Sequence, residues 1–106
     1  MRTRMTLASL ALLLATGTGP MPAVAMTGAE VLNEMGDDER YGYLAGNIDM
    51  AAQLTYHDGK RERSACIYEW FYKKGGLNQV VQTIEHFKDR QVQPVIYVLI
   101  KKACGE

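Results

Sequence analysis

From residue 27 to the C-terminus, apolar residues return at steps of three and four, the period of a helix lying on a core. Thr27-Gly-Ala-Glu30 has the spacing of a capping box, in which hydroxyl and carboxylate each satisfy a free backbone N–H at a helix start. A short first helix follows with Val31, Leu32 and Met35, and Gly36 suits its C-terminal cap. Asp37 or Asp38 then caps a longer second helix with Tyr41, Leu44, Ala45, Ile48, Ala52 and Thr55 on its apolar face. This run ends near His57-Asp58-Gly59, a turn signal. A third helix starts within Lys60 to Ser64, runs to Lys73 and stops at Gly75-Gly76. Leu77, Val80, Val81, Ile84 and Phe87 mark a fourth, ending around Lys88 to Arg90. The fifth begins near Gln91 to Gln93, tolerates Pro94 in its first turn, and buries Val92, Val95, Ile96, Leu99, Ile100 and Ala103 up to Cys104. Strand alternation is nearly missing, so the expected fold is all-α: a small bundle of four to five helices.

The opening residues do not share this pattern. Met1 to Arg4 is cationic, and Met5 to Ala15 is apolar apart from Thr6 and Ser9. Gly17, Gly19, Pro20 and Pro22 follow, and then Ala23-Val24-Ala25. Those are the three parts of a secretory signal peptide, and the apolar run is too short for a membrane span. The expected organisation is a signal peptide over residues 1–25 and one helical domain over residues 26–106.

Composition is that of an ordinary globular protein: 106 residues, 47% hydrophobic and 23% charged. Cutting after Ala25 removes Arg2 and Arg4, leaving ten basic against twelve acidic residues. A net charge of −2 offers no positive excess for nucleic acid or an anionic membrane. Both cysteines, Cys66 and Cys104, lie after the cut. An even pair in a small exported domain reads as a disulfide, and the short spacing of zinc or redox sites is missing.

Candidate chemistry is sparse. His57 with Asp58 precedes a glycine, as polar loops do. Glu85, His86 and Asp89 could share a helix face, but no second turn of metal ligands accompanies them. Ser64 has no nucleophile elbow. Lys60-Arg-Glu-Arg63 reads as a solvated helix start. No catalytic residue, metal site or cofactor is assigned.

Two features stand out from this background. Gly42 and Gly46 sit inside the second helix, where each costs about 1 kcal/mol relative to alanine. Their spacing suits close helix packing, within the chain or against a second copy. Tyr68, Trp70, Phe71 and Tyr72 put four aromatics into five positions of the third helix, more than one core face holds. Tyrosine and tryptophan are common anchors of protein interfaces.

The segment Gly42-Tyr43-Leu44-Ala45-Gly46-Asn47-Ile48-Asp49, then Cys66-Ile67, Gln79-Val80-Val81 and Pro94 to Cys104, resembles in order and spacing the Rap/Tai immunity proteins of type VI secretion. The resemblance implies an exported helical domain with the Cys66–Cys104 bridge, a Gly42/Gly46/Asp49 motif for helix packing or dimerisation, and a periplasmic cell-wall amidase as partner. An extra cysteine pair common in that family is missing, and Arg40 stands at one of its positions. The expected function is non-catalytic protein binding, as an immunity-like inhibitor of a peptidoglycan-cleaving effector. His57, Asp58, Tyr68, Trp70 and Tyr72 are the candidate contacts. The alternative is an acid-stress periplasmic chaperone of the HdeA type.

Overall fold

The computed structural model describes residues 26–106; the signal-peptide reading of residues 1–25 lies outside the described residues. Five helices follow one another: α1 (Gly28–Glu34), α2 (Asp37–His57), α3 (Arg61–Lys73), α4 (Gly76–His86) and α5 (Val92–Cys104). Among the described residues there is no strand, only one bridge between Thr27 and Gln91. The fold is therefore the all-α bundle that the periodicity predicts, with one disulfide.

The capping box forms as expected. The Glu30 N–H donates to Thr27 Oγ1 at 3.2 Å, and the Thr27 N–H donates to Glu30 Oε1 at 2.8 Å. The junction that follows differs from expectation. Met35 ends α1, and Gly36, with an extended backbone, is the N-cap of α2 rather than the C-cap of α1. Neither Asp37 nor Asp38 caps α2; both lie in its first turn, where their charge favours the helix dipole.

Arg40 closes this junction instead. Its guanidinium donates to the carbonyls of Val31, Leu32 and Met35 at 3.0–3.1 Å, and also pairs with Asp37 at 3.0 Å. The last carbonyls of a helix have no intrahelical partner. One side chain on α2 thus satisfies the open end of α1 and ties the two helices together.

The core draws on all five helices, with Val31 from α1, Leu44, Ile48 and Ala52 from α2, Ile67, Trp70 and Phe71 from α3, Val80 and Ile84 from α4, and Val92, Ile96 and Ile100 from α5. Helices α2 and α3 share the most extensive contact, as neighbours joined by a short turn do. Buried Ser64 donates its hydroxyl to Ala52 O at 2.8 Å, so the hydroxyl crosses that contact satisfied. Gly76 marks the closest approach of α4 to α3, because a Cβ there would lie 2.7 Å from Phe71 Cα and 2.8 Å from Trp70 Cδ2.

Helix α4 stops at His86, before the expected end. The chain then turns so that Lys88 O and Arg90 O accept from Ala29 and Gly28 N–H, both at 2.9 Å. These bonds draw residues 88–90 alongside the start of α1 and leave Phe87 outside the core, 44% exposed. Ala103, expected on the buried side of α5, also faces outward.

The bridge joins Cys66 to Cys104, with Cα atoms 5.9 Å apart, and ties α3 to the end of α5. The C-terminal residues are held beside it. Arg63 Nε donates to Gly105 O at 2.9 Å, and Lys101 pairs with Glu106 at 2.8 Å. That pairing, through hydrogen bond and charge, raises the Lys101 pKa and lowers that of Glu106.

Candidate functional site

The aromatic cluster of α3 divides between core and surface. Trp70 and Phe71 are buried, and the Trp70 indole N–H donates to Gln79 Oε1 at 2.8 Å. This corrects the expectation that Trp70 is a partner contact: its ring is in the core and its polar atom is satisfied by α4. Tyr72 is exposed and Tyr68 half-buried at the edge of the core; four residues apart on one face, their rings stack at 6.3 Å and 20°.

Residues of α2 complete this face. Tyr72 O–H donates to Asp49 Oδ1 at 3.3 Å, and Gln53 Nε2 donates to Tyr68 Oη at 3.3 Å. Next to Tyr72, a shallow hollow of about 220 Å³ is lined by Tyr41, Phe71, Tyr72, Lys73, Leu77 and Asn78. Tyr41 and Tyr72 are each 45% exposed. The result is a row of tyrosines along the α2–α3 seam, apolar in body and polar at the tip. Asp49, grouped by sequence with Gly42 and Gly46, is brought to Tyr72 instead.

Burial raises the Tyr72 pKa, and the neighbouring Asp49 carboxylate adds to it. Tyr43 also has a raised pKa, chiefly from burial; its buried hydroxyl has no hydrogen-bond partner among the described residues. Both shifts favour the neutral phenol in the folded state. The stability they contribute is present below the ordinary tyrosine pKa of about 10 and is lost as pH rises through the folded values. In an alkaline absorbance titration, Tyr43→Phe and Tyr72→Phe should each remove a late-ionising phenol; loss of an early-ionising one would contradict the burial.

His57 and Asp58 lie at the exposed corner between α2 and α3, away from the core. His57 sits edge-on to Tyr56 at 5.7 Å, and Arg61 lies 5.2 Å from the same ring. Because α4 ends at His86, the one-face arrangement expected of His86 and Asp89 does not form; both are exposed. Among the described residues, no group of three or more His, Cys, Asp or Glu is placed to hold a metal ion. No helix among them is long and apolar enough to cross a membrane.

Comparison with family models, with curated proteins and with solved structures finds no match.

Gly42 and Gly46 do not pack against the rest of the described chain, since a Cβ on either would meet nothing within 4 Å. The intramolecular reading of their spacing is therefore corrected. Two features escaped sequence reasoning. One is the Arg40 clamp, for which a lone arginine three residues after an aspartate gives no signal. The other is an apolar groove of about 560 Å³ between α4 and α5, lined by Phe87, Pro94, Val95, Val98 and Leu99 among others. It exists because α4 stops early and leaves Phe87 outside.

Proposed function

We propose that the chain is an exported, non-catalytic protein-binding domain that acts in the periplasm as an immunity-like inhibitor of a peptidoglycan-cleaving amidase. The observation that carries this reading is the tyrosine row of Tyr41, Tyr68 and Tyr72 on the seam between α2 and α3. Tyrosines offer large contact area with few rotors to immobilise, and Asp49 and Gln53 hold two of these phenols in place. The choice of partner rests on the resemblance in motif order to the Rap/Tai family, and the Cys66–Cys104 bridge suits an oxidising compartment.

The test is capture from periplasmic extract on the immobilised protein, together with inhibition of a candidate amidase. The native chain should retain a cell-wall hydrolase and block its turnover. Tyr68→Ala and Tyr72→Ala should weaken inhibition by about tenfold or more while keeping the helical circular dichroism. If no hydrolase is retained or inhibited, the reading is wrong.

A further inference from the structure

The disulfide does not lie inside the core. Cys66 and Cys104 are both half-buried and form part of the wall of an open hollow of about 610 Å³, beside Lys60, Arg61, Glu62, Arg63 and Glu106. Three cations thus reach the bridge from the start of α3. Arg63 donates to Gly105 O at 2.9 Å and to Thr55 Oγ1 at 3.2 Å, Lys60 Nζ donates to Glu106 O at 3.5 Å, and Arg61 lies over the Tyr56 ring at 5.2 Å. None of the three is paired with a side-chain carboxylate; among the described residues the ion pairs are Arg40–Asp37 and Lys101–Glu106.

The acids around the bridge are Glu62 in the wall, Asp58 in the preceding turn, Glu69 one helical turn beyond Cys66, and Glu106. Lys101 and Lys102 on α5 join the three cations of α3, so positive charge stays in excess here although the domain carries −2 overall. The chain itself shows which sign the hollow attracts. The Glu106 carboxylate sits in its wall, and Lys101, followed by Arg63 and Lys60, lowers its pKa.

We propose that this hollow is a thiolation site, where small anionic thiols open the Cys66–Cys104 bridge by exchange. The incoming thiolate bonds to one bridge sulfur as the S–S bond breaks, and the electron pair leaves on the other sulfur. The products are a mixed disulfide and one cysteine thiolate. The small thiol is oxidised and the displaced cysteine reduced, so no other redox partner is needed. Whichever sulfur is attacked, the displaced thiolate stands one helical turn from a cation, Arg63 for Cys66 and Lys101 for Cys104. A cation there lowers the pKa of the leaving thiol and speeds its departure. Every thiol gains from that, but one with an added negative charge is also concentrated in the hollow. Exchange frees the end of α5 from α3, whether or not the chain binds a hydrolase.

The test uses the purified, oxidised protein at low ionic strength, with exchange quenched by alkylation and followed by mass. Rates per thiolate are compared for 2-mercaptoethanesulfonate, 2-mercaptoethanol and cysteamine. Each added negative charge should speed exchange about fivefold, in the order sulfonate, alcohol, ammonium. The spread should close at about 1 M salt, where the screening length is about 3 Å. Lys60 and Arg61 are both exposed, so the double variant Lys60→Gln, Arg61→Gln should keep its helical circular dichroism. It should slow the sulfonate at least about fivefold and cysteamine, whose thiolate form has no net charge, less than about twofold. Glu106→Gln removes the competing carboxylate and should speed the sulfonate about twofold or more. Equal rates for the three thiols overturn the proposal, as does a sulfonate rate unchanged in the double variant. A rate that does not rise with thiol concentration also overturns it, since the bridge would then open only after α5 has detached.

Discussion

Replacing Cys66 and Cys104 by serine should lower the unfolding free energy by about 4 kcal/mol and the melting temperature by about 20 °C. The sulfurs close a loop with a sequence separation of 38, for which the chain-entropy model gives that value. The magnitude matters because a domain of about eighty residues is expected to have only about 4–12 kcal/mol in total. The bridge also fixes the end of α5 against α3, where Arg63 holds the carbonyl of Gly105. Its loss should therefore fray the last turn of α5 before the core opens. Thermal denaturation followed by circular dichroism, with and without reductant, measures the effect. Reductant should bring the native chain down to the double-serine value. A shift of less than about 5 °C would mean that the helical core stands without the bridge.

The second large effect is at Arg40. Alanine there should cost about 3 kcal/mol, because three carbonyls at the end of α1 lose a charged donor at once. Hydrogen bonds to charged groups contribute about 1.5–3 kcal/mol each, but one side chain cannot contribute three independent increments. Asp37→Ala should cost under about 0.5 kcal/mol, since its carboxylate is 96% exposed and the ion pair is screened. Urea denaturation separates the two variants. Hydrogen exchange should show the Arg40→Ala loss first in the amides of α1. Equal effects at Arg40 and Asp37 would mean that the salt bridge, not the carbonyl clamp, is what matters.

Much of this fold is legible in the amino-acid order. The capping box at Thr27 and Glu30 and the three-and-four spacing of Leu44, Ile48, Ala52 and of Val92, Ile96, Ile100 depend on local geometry, which a sequence encodes directly. The glycine pair ending α3 and the Cys66–Cys104 bridge follow from equally general chemistry. Sequence and structure part where distant segments decide the outcome. Phe87 fits the periodicity of α4, but hydrogen bonds from Gly28 and Ala29 end that helix one residue earlier. Gly36 looks like a helix terminator, yet Arg40 already serves the carbonyls such a cap would satisfy. The tyrosine row is half legible: Tyr68 and Tyr72 are one helical turn apart, but Asp49 and Gln53 reach them only because α2 folds back along α3. The inward turn of Trp70 is not legible, because an aromatic run does not reveal which rings face the core, and its partner Gln79 lies on another helix.

The bridge also sets how the molecule responds to tension. A force applied between residues 26 and 106 travels through the sulfurs and never reaches the chain between them, so most of α3, all of α4 and most of α5 are shielded. With the link intact, only about forty residues can be drawn out, roughly 150 Å of contour, against about 280 Å once it is reduced. Pulled from its ends, the oxidised protein gives up α1 and α2 while the segment closed by the sulfurs remains slack.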